Sequence, residues 1–232
     1  MPAEASGNGK TLLEIRDLTF IREGRHLIRE ISWDVLPGEN WVLFGRNGAG
    51  KTMLLELITG YLQSSGGTIR RFGKGYGEAG IREIRRRIGY ISTPLAAMIP
   101  EYEPLRDVVI GGIDASAGLW RRPEPAEVER AMDLLSRIGM ADRHEDPFRV
   151  LSDGERQKIL MLRAMINDPD ILILDEPTRG LDLTSREDVL AAMDRLARSR
   201  PECSVIYVTH HTEEIIPIFQ TVSYTHLTLP TN

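Results

Sequence analysis

The chain has 232 residues, 41% hydrophobic and 27% charged, enough to bury the core of one large domain or of a core with a subdomain. Its net charge of -5 gives no overall bias toward nucleic acid or an anionic membrane, and no stretch approaches the roughly 18 apolar residues that span a bilayer. A single cysteine, Cys203, forms no internal disulfide, which favours a reducing cytoplasm.

Neither end of the chain is expected to contribute to the fold. The first ten residues, MPAEASGNGK, are small and polar, which predicts a loose leader rather than a signal peptide. Residues 223–232, SYTHLTLPTN, carry no charge and resemble the peptide that translated sequencing-adapter DNA gives. We expect a non-native tail there, the alternative being a disordered polar terminus. A single domain is then expected over residues 1–222, without its native C-terminal strands and helix.

Short strand patterns dominate the first part of the chain. LLEIRDLTF and REISWDVLP alternate as half-buried strands do, and NWVLF predicts a short buried strand running into a glycine-rich loop. The next segment, MLLELITG, predicts a helix that ends at Gly60. GGTIRRFG and IGYIS predict two further strands.

From about Pro94 to Met165 the pattern becomes helical. EPAEVERAMDLLSRIGM has apolar residues at three- and four-residue spacing, and ERQKILMLRAMIND predicts a second helix, stopped by Pro169. Strand character returns in ILILDEP and SVIYVTH, joined by the helix SREDVLAAMDRLARS. Strands alternating with helices predict a mostly parallel sheet, with an inserted helical subdomain over about residues 94–165.

The glycine-rich loop has the spacing of a phosphate-binding P-loop. Glycines let the backbone curl so that successive N–H groups point at one anion, and the following helix adds its positive N-terminus. Lys51 then neutralises the β- and γ-phosphates and the Thr52 hydroxyl binds magnesium. The alternative is a tight strand–helix turn with an exposed lysine. The predicted nucleotide-binding residues are Gly45, Arg46, Asn47, Gly48, Ala49, Gly50, Lys51, Thr52 and Met53.

Further motifs follow this loop in a fixed order: LSDGERQK, ILILDEP, GLD and VTHH. With them, the chain resembles the ATP-binding domains of the ABC superfamily from about Leu12 to Val222. The resemblance implies an α/β fold: a P-loop NTPase core with a mostly parallel sheet, an antiparallel β subdomain and an inserted helical subdomain. It also implies an ATPase that takes ATP and Mg2+.

Two carboxylates end the strand ILILDEP, where isolated buried charges would be costly without a cation. Asp175 is predicted to hold magnesium and Glu176 to polarise the attacking water. The alternative is a pair of ordinary charged residues at the end of a core strand. His210 matches the family's switch histidine, which contacts the γ-phosphate and this water, whereas His211 is expected at the surface.

LSDGE resembles the ABC signature, which completes the ATP site of the opposite protomer. Ser152 and the Gly154 N–H are expected to face the γ-phosphate across a dimer interface, the alternative being a helix cap alone. Asp153 stands where a second glycine is usual and is expected to face away. Asp182, in GLD, matches the family's loop that couples the two ATP sites across the dimer. The predicted signature residues are Leu151, Ser152, Asp153, Gly154 and Glu155. A homodimer, or a pair with another ABC ATP-binding domain, is implied.

The chain departs from the family pattern at two positions. Arg22 stands where an aromatic residue usually stacks on adenine; it either stacks as a guanidinium plane or is a solvated loop arginine. Thr93 stands where transporter ATPases place a magnesium-binding glutamine that leads the loop reading the membrane domain. A hydroxyl there still reaches a metal or a bound water, but the change weakens the prediction of ordinary coupling to a membrane partner.

VVIGGIDASAGLWRRPEP and IGMADRHEDPF, with the absent glutamine, resemble the molybdate-transport-type ATP-binding proteins and their single-domain relatives. Arg82 and residues 85–87 face either an anionic partner or solvent. The leading hypothesis is the energy-supplying subunit of a transporter, cytoplasmic or held at the inner face of the membrane by a permease. A soluble ABC protein acting on a nucleic-acid, ribosomal or other cytosolic partner is the alternative. A P-loop kinase is disfavoured, because it has no use for LSDGE.

Overall fold

A computed structural model of the chain describes residues 11–75, 77–78, 80–219 and 221–224. The strands are Leu13–Arg22 (β1), Arg25–Val35 (β2), Asn40–Phe44 (β3), Gly66–Arg71 (β4), Ile88–Ile91 (β5), Ile171–Asp175 (β6), Ser204–Thr209 (β7) and Thr221–Tyr224 (β8). The helices are Lys51–Thr59 (α1), Ile81–Arg86 (α2), Thr93–Ala97 (α3), Leu105–Ile110 (α4), Pro125–Arg137 (α5), Asp153–Met165 (α6) and Leu183–Ser199 (α7). Three short 3-10 helices span Ala141–Arg143, Phe148–Val150 and Thr212–Glu214.

An antiparallel sheet with the strand order β2-β1-β4 forms the first layer. β1 and β2 are joined by a tight hairpin in which Arg22 pairs with Arg25. The two linking residues, Glu23 and Gly24, have φ of 52° and 72°, the left-handed conformation that two-residue hairpin turns require. This sheet is the antiparallel subdomain that the family resemblance implies.

The second sheet has the strand order β5-β6-β7-β3-β8, and each neighbouring pair is parallel. Its central strands are buried on both faces, so their sequences are nearly continuous apolar runs. Alternate residues pack on opposite sides: Ile171 and Ile173 lie in one core with α1 and the antiparallel sheet, and Leu172 and Leu174 lie in the other with the helices. β3, β6 and β7 therefore end side by side at one edge, where an open parallel sheet binds its ligands.

Helices α3 to α6 lie between β5 and β6 in the chain, within the predicted helical segment. α4 and α6 approach closely at Gly112, where an added Cβ atom would lie 2.1 Å from the backbone oxygen of Arg163. Only glycine fits this contact. Leu105, Val108 and Val109 of α4 lie in the same core as Leu172 and Leu174, on the helical side of the parallel sheet. This core also holds α6 against the sheet.

The predicted boundary near Val222 differs from the end of the last strand by two residues. Ser223 and Tyr224 extend β8, where they pair with Leu43 and Phe44 of β3. The remainder of the predicted tail, 225–232, and the predicted leader, 1–10, lie outside the described residues. In the described part of the chain, none of the helices has both the length and the apolar character needed to cross a bilayer.

Candidate nucleotide-binding site

The predicted P-loop connects the end of β3 to the start of α1. Gly48 and Gly50 have φ of 81° and 82°, in the left-handed region that residues with a Cβ atom rarely adopt. Gly50 caps α1 with its backbone alone, since no side chain accepts a hydrogen bond there. The first N–H groups of the helix are therefore left to meet an anion.

Lys51 is buried in this loop, with 5% of its side chain exposed. Its Nζ donates to the backbone oxygens of Gly45 at 2.6 Å and Arg46 at 3.0 Å. Burial lowers the pKa of Lys51, while the charges of Glu176 and Asp175 act in the opposite direction. The loop thus holds a cation whose two loop acceptors are neutral carbonyls, so its charge remains available for a phosphate.

Thr52 and Asp175 meet between α1 and the end of β6. The Thr52 hydroxyl donates to Oδ2 of Asp175 at 2.7 Å. Burial raises the pKa of Asp175, and the hydrogen bond from Thr52 opposes this. A hard divalent cation fits the pair, because both groups are oxygen ligands and a buried carboxylate is stabilised by a positive partner. The described residues contain no cluster of three or more His, Cys, Asp or Glu that would hold a metal. Magnesium is typically bound through one or two carboxylates, with its other ligands taken from phosphates and water.

Glu176 adopts a left-handed backbone conformation with φ of 49°, which costs a residue with a Cβ atom about 1 kcal/mol or more. Its N–H donates to the Val208 oxygen at 3.0 Å, so the neighbouring strand holds it. The carboxylate then lies between two groups: Oε1 is 3.1 Å from Nδ1 of His210 and 4.0 Å from Nζ of Lys51. The left-handed backbone at Glu176 directs its carboxylate toward the cleft that the P-loop residues also line.

An open cleft of about 330 Å³ adjoins these groups, a volume at the small end of ligand sites. Among the described residues, those lining it are Asn47, Gly48, Gly50, Lys51, Thr52, Met53, Glu176 and Arg179. Sequence reasoning missed Arg179, whose Nη1 lies 3.6 Å from Oε2 of Glu176. Its position three residues after Glu176 was the only available signal.

The signature segment lies outside this cleft and begins α6. Ser152 caps the helix by accepting from the Glu155 N–H, and the Glu155 carboxylate accepts in return from the Ser152 N–H at 2.9 Å. This capping box lowers the pKa of Glu155. Ser152 and Asp153 are exposed, so they are open to a second molecule. Arg143 holds Glu155 through an ion pair of 2.5 Å.

The start of α7 packs directly on the start of α6. Asp182 caps α7 by accepting from the Ser185 N–H at 2.7 Å, which lowers the pKa of Asp182. A Cβ atom added to Gly154 would lie 3.0 Å from Oγ of Ser185. Lys158 and Asp188 pair further along at 2.8 Å. Asp182, the predicted coupling residue, is therefore one turn of α7 away from Ser185, which lies against Gly154 of the predicted signature.

Arg22 and Thr93 are not among the described residues that line the cleft. Arg22 is exposed at the end of β1, in the hairpin with Arg25. Thr93 is exposed at the start of α3, while the preceding Ser92 is buried and caps this helix by accepting from the Leu95 N–H. Stacking on adenine and binding of metal by these two residues stay predictions.

A buried carboxylate beside the site also escaped sequence reasoning. Glu214 accepts hydrogen bonds from the hydroxyl groups of Thr178, Tyr207 and Thr209. Thr178 follows Glu176 by two residues, and Thr209 directly precedes His210. The ring centroids of His210 and its neighbour His211 are 4.0 Å apart, and His211 is half-buried, with 40% of its side chain exposed.

The chain is similar in sequence to proteins of one family. The family model described as ABC transporter matches residues 28–179. The uncharacterised ABC transporter ATP-binding protein YlmA of Bacillus subtilis is 36% identical over 209 residues, which cover 90% of this chain and 79% of that protein. The ABC transporter ATP-binding protein ModF of Escherichia coli is 35% identical over 194 residues, covering 82% of this chain and 39% of that protein.

Solved structures give the same fold. The structure of cbiO1 from Clostridium perfringens, part of the ABC transporter complex cbiONQ, matches with a TM-score of 0.75 and 25% identity, covering 90% of this chain and 82% of that one. A nucleotide-free ATP-binding cassette from an ABC transporter has a TM-score of 0.77 over 92% of this chain and 88% of its own; at 19% identity it supports the fold alone.

Proposed function

The chain belongs to the ABC transporter family as one of its ATP-binding domains, and from that premise we propose that two chains bind and hydrolyse Mg-ATP between them in a head-to-tail dimer. The observation that carries the proposal is the position of Glu176, with its carboxylate 3.1 Å from His210 and 4.0 Å from Lys51. A carboxylate, an imidazole and a buried cation meet at the mouth of a P-loop, which is the set that hydrolysis of a triphosphate needs.

The P-loop binds the phosphates of ATP. The glycines at positions 48 and 50 give the loop its left-handed turns, so its N–H groups and the N-terminus of α1 face the same anion. Lys51 contributes its charge from the floor of the cleft. We therefore expect groups of residues 45–53 to dominate binding, and the support is that six of these nine residues line the cleft: Asn47, Gly48, Gly50, Lys51, Thr52 and Met53.

Thr52 and Asp175 are the residues of this chain that hold Mg2+, through the hydroxyl and carboxylate oxygens that meet at 2.7 Å. Magnesium held there would supply positive charge that neutralises the charge developing on the phosphates. The chain's part is to fix these two oxygens beside Lys51. The burial of Asp175 makes a cation there favourable.

Glu176 orients and polarises the attacking water. His210 holds the Glu176 carboxylate through Nδ1, and we assign its other ring nitrogen to the γ-phosphate or this water. Arg179 adds positive charge on the outer side of the same carboxylate. Because the proposal gives these groups a role at the attacking water rather than in holding the nucleotide, their loss is expected to slow hydrolysis more than it weakens binding.

The second half of each site comes from the partner chain. Ser152 and the N-terminus of α6 are exposed and lie outside the chain's own cleft, which supports their use by a neighbour. Ser185, whose N–H donates to Asp182, contacts the start of α6 within one chain. Closure of one site is thereby linked to the position of the signature that serves the other site.

The work driven by this ATPase is proposed to be transport. The relatives bear names of transporter ATP-binding proteins, among them the manganese transport system ATP-binding protein MntB of Bacillus subtilis, 31% identical over 201 residues. In this proposal the chain docks on the cytoplasmic face of a membrane permease. Thr93, in place of the usual glutamine, favours the alternative of an ABC ATPase that acts on a cytosolic partner.

Two measurements test these proposals. Hydrolysis that needs a dimer has a rate per chain that rises with chain concentration until dimers saturate, whereas a rate independent of concentration in a strictly monomeric preparation contradicts the shared site. Affinity purification from solubilised native membranes tests the partner. Co-purification of a permease supports transport, and recovery with cytosolic proteins alone supports the alternative.

A further inference from the structure

We propose that Glu214 is a positioning residue for hydrolysis, which holds the two loops that carry Glu176 and His210 at their working distance. The inference rests on the proposed function and adds to it a residue that does not touch the cleft. Glu214 lies in the 3-10 helix Thr212–Glu214 after β7 and is 1% exposed. The loops it joins come from the ends of β6 and β7.

Three hydroxyl groups converge on this carboxylate from different parts of the chain. Thr178 donates to Oε1 at 2.7 Å, Tyr207 donates to Oε2 at 3.0 Å, and Thr209 also donates to Oε2. Thr209 in turn accepts from the His211 N–H at 3.0 Å. Tyr207 and Thr209 belong to β7, which ends just before His210, and Thr178 lies in the loop that begins with Glu176. The network therefore ties β7 to the loop after β6.

The charge arrangement argues that this network has a specific use. Among the described residues, one cation pairs with Glu214: Nε of Arg186, 3.7 Å from Oε1. A buried charge that relies on hydroxyls and one distant guanidinium is costly, and apolar residues of similar volume would fill the space at lower cost. Burial also raises the pKa of Tyr207, so its hydroxyl stays protonated and keeps donating.

The connection to the reacting groups is short on both sides. Thr178 is two residues after Glu176, with a proline between them that limits the backbone, and Thr209 is the residue before His210. Fixing Thr178 and Thr209 to one carboxylate therefore fixes the backbone on both sides of the Glu176–His210 contact. Three hydroxyl hydrogen bonds to one buried carboxylate favour a single geometry.

Arg186 extends the network to the coupling segment. It belongs to α7, the helix that Asp182 caps and that packs on Gly154, and it also pairs with Glu213 at 3.4 Å. Glu214 thus connects the water-activating pair to the helix start that lies against the signature. A movement of α7 when the dimer closes is therefore passed to His210 through two contacts. The first is Arg186 with Glu214, and the second is Glu214 with Thr209, the residue before His210.

The substitution Glu214→Gln tests the role while keeping the shape of the side chain. The amide nitrogen of Gln cannot accept, so at least one hydroxyl loses its acceptor. We expect kcat to fall by about tenfold or more, the scale for loss of an orienting partner, with KM for ATP within about twofold. Glu129→Gln makes the same chemical change at an exposed glutamate of α5, away from the network, and is expected to leave both constants unchanged.

A double-mutant cycle with His210→Ala separates positioning from general destabilisation. If Glu214 acts through His210, adding Glu214→Gln to His210→Ala leaves kcat where His210→Ala alone puts it. An equal loss in both backgrounds, or a Glu214→Gln variant with parental kcat, overturns the proposal. A parent chain without ATPase activity would contradict the proposed function instead.

A second pair of variants decides the question if Glu214→Gln fails to fold. Thr178→Val removes one donor at nearly constant volume, and Thr178→Ser keeps it. The proposal expects a severalfold loss of kcat in Thr178→Val and a parental value in Thr178→Ser, with equal nucleotide affinity in both. Equal kcat for the two variants overturns it.

Discussion

Nδ1 of His210 lies 3.1 Å from Oε1 of Glu176, although 34 residues separate them in the chain. The contact is a product of strand register, because β6 and β7 are parallel neighbours in which Asp175 pairs with Val208. The backbone N–H of Glu176 continues this ladder to the Val208 oxygen. The Glu176–His210 contact is therefore anchored by two adjacent strands of the parallel sheet.

Replacing His210 with alanine is expected to lower kcat by about 100-fold, because the Glu176 carboxylate loses its orienting partner and the water loses a second contact. The affinity for ATP changes little, since the P-loop remains intact. Steady-state kinetics with nucleotide titration checks both values. His211→Ala is the matched control and is expected to keep the parental rate; a variant at position 210 that is as active as this control would refute the role of His210.

Replacing Lys51 with alanine is expected to weaken nucleotide binding. Loss of a buried cation that contacts phosphates costs about 2–3 kcal/mol, or roughly 30- to 150-fold in Kd. Titration with a fluorescent ATP analogue measures this. Lys74→Ala changes an exposed lysine that pairs with Glu83 and serves as the control. Equal Kd for the two variants would exclude Lys51 from the phosphate site.

The Thr52 hydroxyl is expected to decide the dependence on magnesium. Thr52→Val removes the group that meets Asp175 at 2.7 Å, so the variant should require much higher Mg2+ for half-maximal hydrolysis. Thr52→Ser keeps the hydroxyl and should behave as the parent does. Activity measured against Mg2+ concentration distinguishes them, and identical curves would remove Thr52 from the metal site.

Cys203 is expected to resist thiol reagents in the folded protein. It is buried, and burial raises its pKa to about 11. At pH 8 only about one thiol in a thousand is then the reactive thiolate. A colorimetric thiol assay should give slow modification of native protein and rapid modification after denaturation in guanidinium. Fast, stoichiometric reaction of the native chain would contradict the burial of this side chain.

The sequence alone predicts those parts of the candidate site that lie directly after a recognisable strand. The P-loop, the two carboxylates after β6 and the histidine after β7 each follow an apolar strand, and the parallel sheet brings these strand ends together. The two helices that flank the signature were predicted from apolar spacing and breaking residues. α6 begins at Asp153, earlier than its apolar pattern suggested, because the capping box of Ser152 and Glu155 starts it.

The remainder depends on contacts between distant segments. Helices α2, α3 and α4 have six residues or fewer, too few for a periodic pattern to be read. Glu214 follows β7 in a polar segment without a motif that singles it out, and it is buried among hydroxyls supplied by β7 and the loop after β6. Arg179 reaches Glu176 only because of the left-handed turn at that residue.

The most direct test of a shared ATP site is the mass of the Glu176→Gln variant in solution, measured by light scattering with and without Mg-ATP. Binding survives in this variant while the water loses its polarising group, so we predict the 26.1 kDa chain without nucleotide and twice that mass with Mg-ATP. Adding Ser152→Arg, which blocks the exposed signature, is predicted to restore the single-chain mass while ATP still binds. A Glu176→Gln variant that binds Mg-ATP and stays a single chain at every concentration would contradict the account.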